Sequence, residues 1–155
     1  MTKPKLTKEL LIERAFELFS QHGYHRTSIQ DLAKACGLTK ASIYHHITSK
    51  EALALDLIKQ MRAQYESELF AMLRDQSLTP SEKMFQFFTM TGQYHEQHSY
   101  SCLLSKFLTE LNQEDGPLWD EISAFAKEAV HAITEILPEA EPGVNEGHAV
   151  RIFCL

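Results

Sequence analysis

No run of apolar residues in this chain approaches the ~20 needed to cross a bilayer, so no membrane-spanning segment is expected. The opening MTKPKLTKEL lacks the apolar core of a secretion signal, which points to a cytoplasmic protein. Cysteine is scarce. The three residues, Cys36, Cys102 and Cys154, show no paired spacing and make no disulfide framework. There is no Gly-rich phosphate loop, no nucleophile elbow and no carboxylate pair placed by a motif, so an enzyme is not expected. No cofactor is implied. His95, His98 and Cys102 fall at i, i+3 and i+7, but no fourth ligand is evident, and no metal site is assigned. No strand pattern, repeat or low-complexity tract appears, which leaves an all-α fold.

What is present is organised around residues 27–50, TSIQDLAKACGLTKASIYHHITSK. The pattern predicts a helix over 28–36, opened by a capping box between Thr27 and Gln30. Ile29, Leu32, Ala33 and Cys36 give it one apolar face. Gly37 stands where a helix ends in a left-handed residue, and Leu38 turns inward. Thr39 is a good N-cap for a second helix over 40–47. That helix has few apolar anchors, Ile43 and Ile47, while Lys40, Tyr44, His45 and His46 share the other face. Basic, imidazole and phenolic groups on one short helix suit a nucleic-acid groove, where they meet phosphates and base edges. Small Ala41 lets the backbone approach closely. Two short helices about a Gly turn form a helix-turn-helix pattern, whose second helix enters the major groove. A solvated surface helix is the plain alternative.

The run LAKACGLTKASIYHHITSKEAL, preceded by an amphipathic helix ending in HGYHRTS, resembles the DNA-binding domain of TetR-family transcriptional repressors. The resemblance is strong over about residues 8 to 60 and departs at Ile47, where the family usually has Phe. It implies a DNA-binding regulator, with Tyr44 and Lys50 as phosphate contacts. The DNA-contact set then comprises Arg26, Thr27, Ser28, Thr39, Lys40, Ala41, Tyr44, His45, His46 and Lys50. Two recognition helices one DNA turn apart, in a homodimer, are expected to read a palindromic operator.

Charge divides with the pattern. The whole chain carries −6, yet residues 1–60 hold nine Lys/Arg against six Asp/Glu, and residues 61–155 hold six against fifteen. A basic reading head on an acidic body is the simplest account, since repulsion keeps the body off DNA. Domain boundaries are drawn at 1–47 for the helix-turn-helix domain and 48–155 for a helical effector-binding and dimerisation domain.

In chain order, residues 1–6 read as a frayed basic arm, and helix 1 runs over 7–22 to Gly23, with Leu11, Ala15, Leu18 and Phe19 inward. A Thr48–Glu51 capping box opens helix 4, about 49–75, an uninterrupted helix of roughly 39 Å that links the domains as a lever. Thr79, Pro80 and Glu82 open helix 5, which runs to about 98. Helix 6 covers about 101–113. Gly116-Pro117 breaks the chain before helix 7, about 118–137. The aromatic and methionine content of helices 5 to 7 suggests an effector pocket, with Phe87, Tyr94, His98, Cys102, Phe107 and Trp119 as lining candidates and Ser101 and Lys106 as further polar groups. For each aromatic, a place in the bundle core is the plain alternative. Cys102 opens helix 6 between His98 and Lys106, a setting that lowers a thiol pKa and suits redox or electrophile sensing, with a small buried hydrophobe as the alternative; a small apolar or electrophilic effector is the expected partner.

The resemblance also implies two further C-terminal helices that pair subunits. The sequence ends in RIFCL inside what looks like the first of them, which is expected to mean either a truncated chain or dimerisation through another surface. The alternative function is therefore a ligand- or metal-binding helical module whose DNA binding is impaired by the missing dimer helices.

Overall fold

The computed structural model describes the backbone over residues 7–97 and 100–136, and side chains over 7–90 and 103–136. Every regular element among these residues is helical. α1 (Lys8–His22) starts at Thr7, whose hydroxyl accepts from Leu10 N at 3.2 Å. It buries Leu11, Ala15 and Phe19, the inward stripe read from spacing, while Leu18 is only partly covered. Gly23 ends it at φ 84°, a left-handed value that favours glycine.

α2 (Ile29–Ala35) and α3 (Lys40–Ile43) follow, then α4 (Lys50–Tyr65). The α4 cap is Ser49, not Thr48: its hydroxyl accepts from Ala52 N at 3.0 Å. Two adjacent hydroxyl residues compete for this cap, and the helix starts one residue later than the Thr48–Glu51 box predicts. The long helix is also not uniform. A π-helical turn, Glu66–Phe70, separates α4 from α5 (Ala71–Leu73). The cause is legible in the spacing. Leu57, Met61, Tyr65 and Leu69 are all buried at intervals of four, which outruns a turn of about 3.6 residues. The wider π turn absorbs that drift and lets neighbouring Leu69 and Phe70 both face inward.

α6 (Pro80–Gln97) opens with the expected box: Glu82 accepts from the Thr79 amide at 2.8 Å and hydroxyl at 2.7 Å. Phe87 is buried, whereas Phe85 and Phe88 face outward at 74% and 50% exposure. α7 (Tyr100–Glu110) is followed by a 3-10 turn, Gln113–Asp115, and α8 (Pro117–Thr134). Pro117 sits at the first helical position, where its missing N–H costs nothing.

A single apolar core runs from Leu11 in α1 to Ile136 beyond α8. The N-terminal helices and the rest of the described chain therefore share it. At the seam, Phe19 of α1 packs edge-on to Tyr24 (5.6 Å between centroids) and to Phe107 of α7 (6.1 Å). Deeper in the body, Tyr65 and Phe70 meet Phe125 of α8 at 5.3 and 6.2 Å. On the rim, Arg62 of α4 forks onto two α8 carboxylates, Glu121 at 3.1 Å and Glu128 at 2.7 Å. No helix among the described residues is long and apolar enough to cross a membrane.

Candidate nucleic-acid interface

The interface is built from α2, its turn and α3. α2 is capped by Ser28, which accepts from Asp31 N at 3.2 Å while the Asp31 carboxylate accepts from Ser28 N at 3.0 Å. This capping box replaces the predicted Thr27–Gln30 pair. The Ser28 hydroxyl also donates to the Asp31 carboxylate at 2.6 Å, and this bond, with the one from Ser28 N, holds the Asp31 carboxyl pKa below its ordinary value. Thr27 is displaced from the cap because its side chain points inward. It is 1% exposed, and its hydroxyl donates to the Gly23 carbonyl at 2.7 Å. Thr27 therefore presents no side chain to a duplex in this conformation; it ties the start of α2 to the end of α1.

α2 ends in a Schellman motif. Gly37, at φ 67°, donates to Lys34 O at 2.9 Å, and Leu38 N donates to Ala33 O at 2.8 Å. Leu38 packs partly against the core, as its inward turn requires. Cys36 is partly covered, and burial pushes its thiol pKa up, with Arg14 opposing. Thr39 caps α3 by accepting from Ser42 N at 3.1 Å.

α3 is shorter than predicted. Only residues Lys40–Ile43 are α-helical, and 44–46 tighten into turns. The bonds His45 N to Ser42 O and His46 N to Ile43 O both span three residues. The tightening keeps the predicted division of faces. Ile43 and Ile47 are buried, while Lys40, Ala41, Tyr44, His45 and His46 are exposed, Tyr44 at 50%. Thr39, Ser28 and Arg26 are exposed beside them.

Lys50 behaves differently from a free surface lysine. Its ammonium donates to the Tyr24 carbonyl at 2.9 Å and lies 4.1 Å over the Tyr24 ring. Burial lowers its pKa, against the raising effect of Asp115 and Glu110. Burial also pushes the Tyr24 phenol up to about 12, helped by Glu51 and Asp115.

Behind the reading surface, a cleft of about 680 Å³ is lined by Gln21, His22, His25, Arg26, Lys106 and Glu110. It lies where α7 meets the α1–α2 elbow. Lys106, a predicted effector group, donates to the carbonyls of Ser20 and Gln21, the latter at 3.0 Å. Glu110 accepts from Tyr24 N at 2.8 Å. Nothing in the spacing marks Glu110 for this, beyond its position four residues after Lys106 on one helical face.

Of the effector candidates, Phe87 and Phe107 are buried core residues and Trp119 is partly covered against the core. The side chains of Tyr94, His95, His98, Ser101 and Cys102 lie outside the described residues, as do the basic arm at 1–6 and the apolar end at 148–155. No group of three or more potential metal ligands occurs among the described residues.

Residues 11–57 match the family model for bacterial regulatory proteins of the tetR family. The HTH-type transcriptional regulator YuxN of Bacillus subtilis is 44% identical over 54 residues, 35% of this chain and 19% of that protein. The HTH-type transcriptional repressor DhaR of a Mycobacterium species is 26% identical over 110 residues, 68% of this chain and 52% of the repressor. The chain thus spans about half or less of these relatives. Its fold is that of AibR, whose crystal structure holds isovaleryl coenzyme A and operator DNA. The two superpose with a TM-score of 0.78 and 23% identity, over 94% of this chain and 80% of AibR.

Proposed function

We propose, for a chain whose residues 11–57 belong to the tetR family of bacterial regulatory proteins, that it is a DNA-binding transcriptional regulator acting as a repressor. One observation carries this reading. Lys40, Ala41, Tyr44, His45 and His46 stand exposed together on a short segment pinned by buried Ile43 and Ile47. Lys40 and His45 address base edges in the major groove. Tyr44, Arg26, Ser28, Thr39 and His46 meet the sugar-phosphate backbone. Lys50 joins them with the N–H donors left beyond the Tyr24 carbonyl. Residues 1–47 form the reading head and 48–155 the effector-binding and dimerisation body. The working form is a cytoplasmic homodimer on a palindromic operator.

The release signal is a small apolar or electrophilic effector in the body, or modification of Cys102. AibR, of the same fold, was crystallised with isovaleryl coenzyme A as well as operator DNA, which supports a small-molecule effector for this fold. Selection of duplexes from sheared genomic DNA, followed by fluorescence anisotropy, tests the reading. Tyr44→Phe is expected to weaken binding to selected and random duplexes alike, and His45→Ala to erode the preference between them. Absence of any selected fragment, with the protein folded, would overturn it in favour of a helical ligand-binding module.

A further inference from the structure

We infer that α7 positions the reading head directly, through a two-point clamp that Lys106 and Glu110 place on the α1–α2 elbow. The inference deepens the regulatory reading above and rests on it for its biological purpose. The geometry stands by itself. Lys106 and Glu110 are four residues apart, so both side chains leave α7 on one face. Lys106 reaches the carbonyls of Ser20 and Gln21, in the last turn of α1, where C=O groups lack intrahelical partners and carry partial negative charge. Glu110 reaches the amides just past that end: Oε2 accepts from Tyr24 N at 2.8 Å and from His25 N at 3.4 Å. The cation meets carbonyls and the anion meets N–H groups, so each contact is charge-assisted. His25 returns the contact through Nε2, 3.1 Å from the Glu110 carbonyl.

The elbow is shaped for this grip. A methyl group on Gly23 would lie 1.9 Å from Glu110 Oε1, so the bare backbone is what admits the carboxylate. The backbone at Tyr24 is then held on both sides of its alpha carbon, one peptide each. Glu110 of α7 takes the N–H of Tyr24, and Lys50 of α4 takes its C=O. From there the chain passes to the buried Thr27 tie, the Ser28 cap, α2 and the Schellman turn into α3. A displacement of the α7 end therefore reaches α3 without passing along α4. Lys106 and Glu110 are positioning residues, which touch no duplex themselves.

The test uses the full chain with its native cysteines replaced and spin labels at exposed Gln30→Cys in the head and Lys127→Cys in the body. Glu110→Ala and Lys106→Met are each expected to shift or broaden the head-to-body distance distribution. Each is also expected to weaken binding to genome-selected duplex by about fivefold or more, the usual scale of coupling between sites. Glu110→Gln, which keeps an acceptor oxygen, is expected to fall between these variants and the parent. If Glu110→Ala does not fold, Lys106→Met and Glu110→Gln carry the same comparison. An unchanged distance distribution overturns the clamp, whatever happens to DNA binding. If the distribution moves but the parent selects no duplex, the clamp stands and the regulatory reading falls.

Discussion

Thr27 shows how a residue can lie at a site without facing it. Its hydroxyl is buried against the Gly23 carbonyl, so its work is to join α1 to α2. Thr27→Ser is expected to leave both melting and DNA binding near the parent values. Thr27→Val is expected to cost about 1–3 kcal/mol of stability, measured by urea denaturation, because a buried carbonyl loses its donor. Tyr24 offers a pH test. Its folded-state pKa of about 12 lies above the ordinary 10.0. The stability linked to its protonated form is therefore full below pH 10 and is lost as pH rises through 12. Lys50, lowered by burial, works the other way near its ordinary 10.5. The Tyr24 contribution is isolated by comparison. Tyr24→Phe is expected to lose less stability than the parent between pH 10 and 12 in denaturant titrations.

At the scale of elements, most of the helix frame was legible because its punctuation is local. Thr7, Gly23, Gly37, Thr39, Thr79 and the Gly116-Pro117 break mark ends by rules that need only neighbouring residues. The failures occur where two neighbours compete. Thr27-Ser28 and Thr48-Ser49 each offer two capping hydroxyls, and tertiary contact decides between them, as the burial of Thr27 shows. The shortened α3 and the π turn were missed for a related reason. The four-residue spacing of Leu57, Met61, Tyr65 and Leu69 carries the cause of the π turn, but only burial shows that all four must face one core, and the same holds for the anchors Ile43 and Ile47 of α3. The π turn gives a deletion test. Removing exposed Ser67 is expected to convert it to plain α-helix with a small change in melting temperature. Removing Lys59 in α4 turns the buried Met61 and Tyr65 by ~100° and is expected to lower the melting temperature far more in circular dichroism melts.

For the whole molecule, the charge division and the shared core pull in different directions. The N-terminal 60 residues carry a positive excess and the remainder a negative one, yet Phe19, Tyr24 and Phe107 pack the two parts together. Affinity for DNA is expected to fall linearly in log–log terms with added salt, as phosphate contacts release counterions. Lys40→Ala, measured by anisotropy across a salt series, is expected to reduce that slope if Lys40 meets phosphate, and to leave it unchanged while altering base preference if it meets bases. The body was less legible than the head. Its aromatic content announces a packed interior, but the same residues fit a pocket wall or a core. Phe87 and Phe107 prove to be core. Glu110 was invisible in sequence because its partners are backbone amides more than eighty positions away.

The bare backbone at position 23 has an evolutionary corollary. A different N-terminal domain placed on this body keeps the Glu110 contact only if it brings an unsubstituted alpha carbon opposite the carboxylate; otherwise the Glu110 side chain must swing aside. Such an exchange turns on one position: a hydrogen atom leaves the Glu110 grip in place, and a methyl group displaces it.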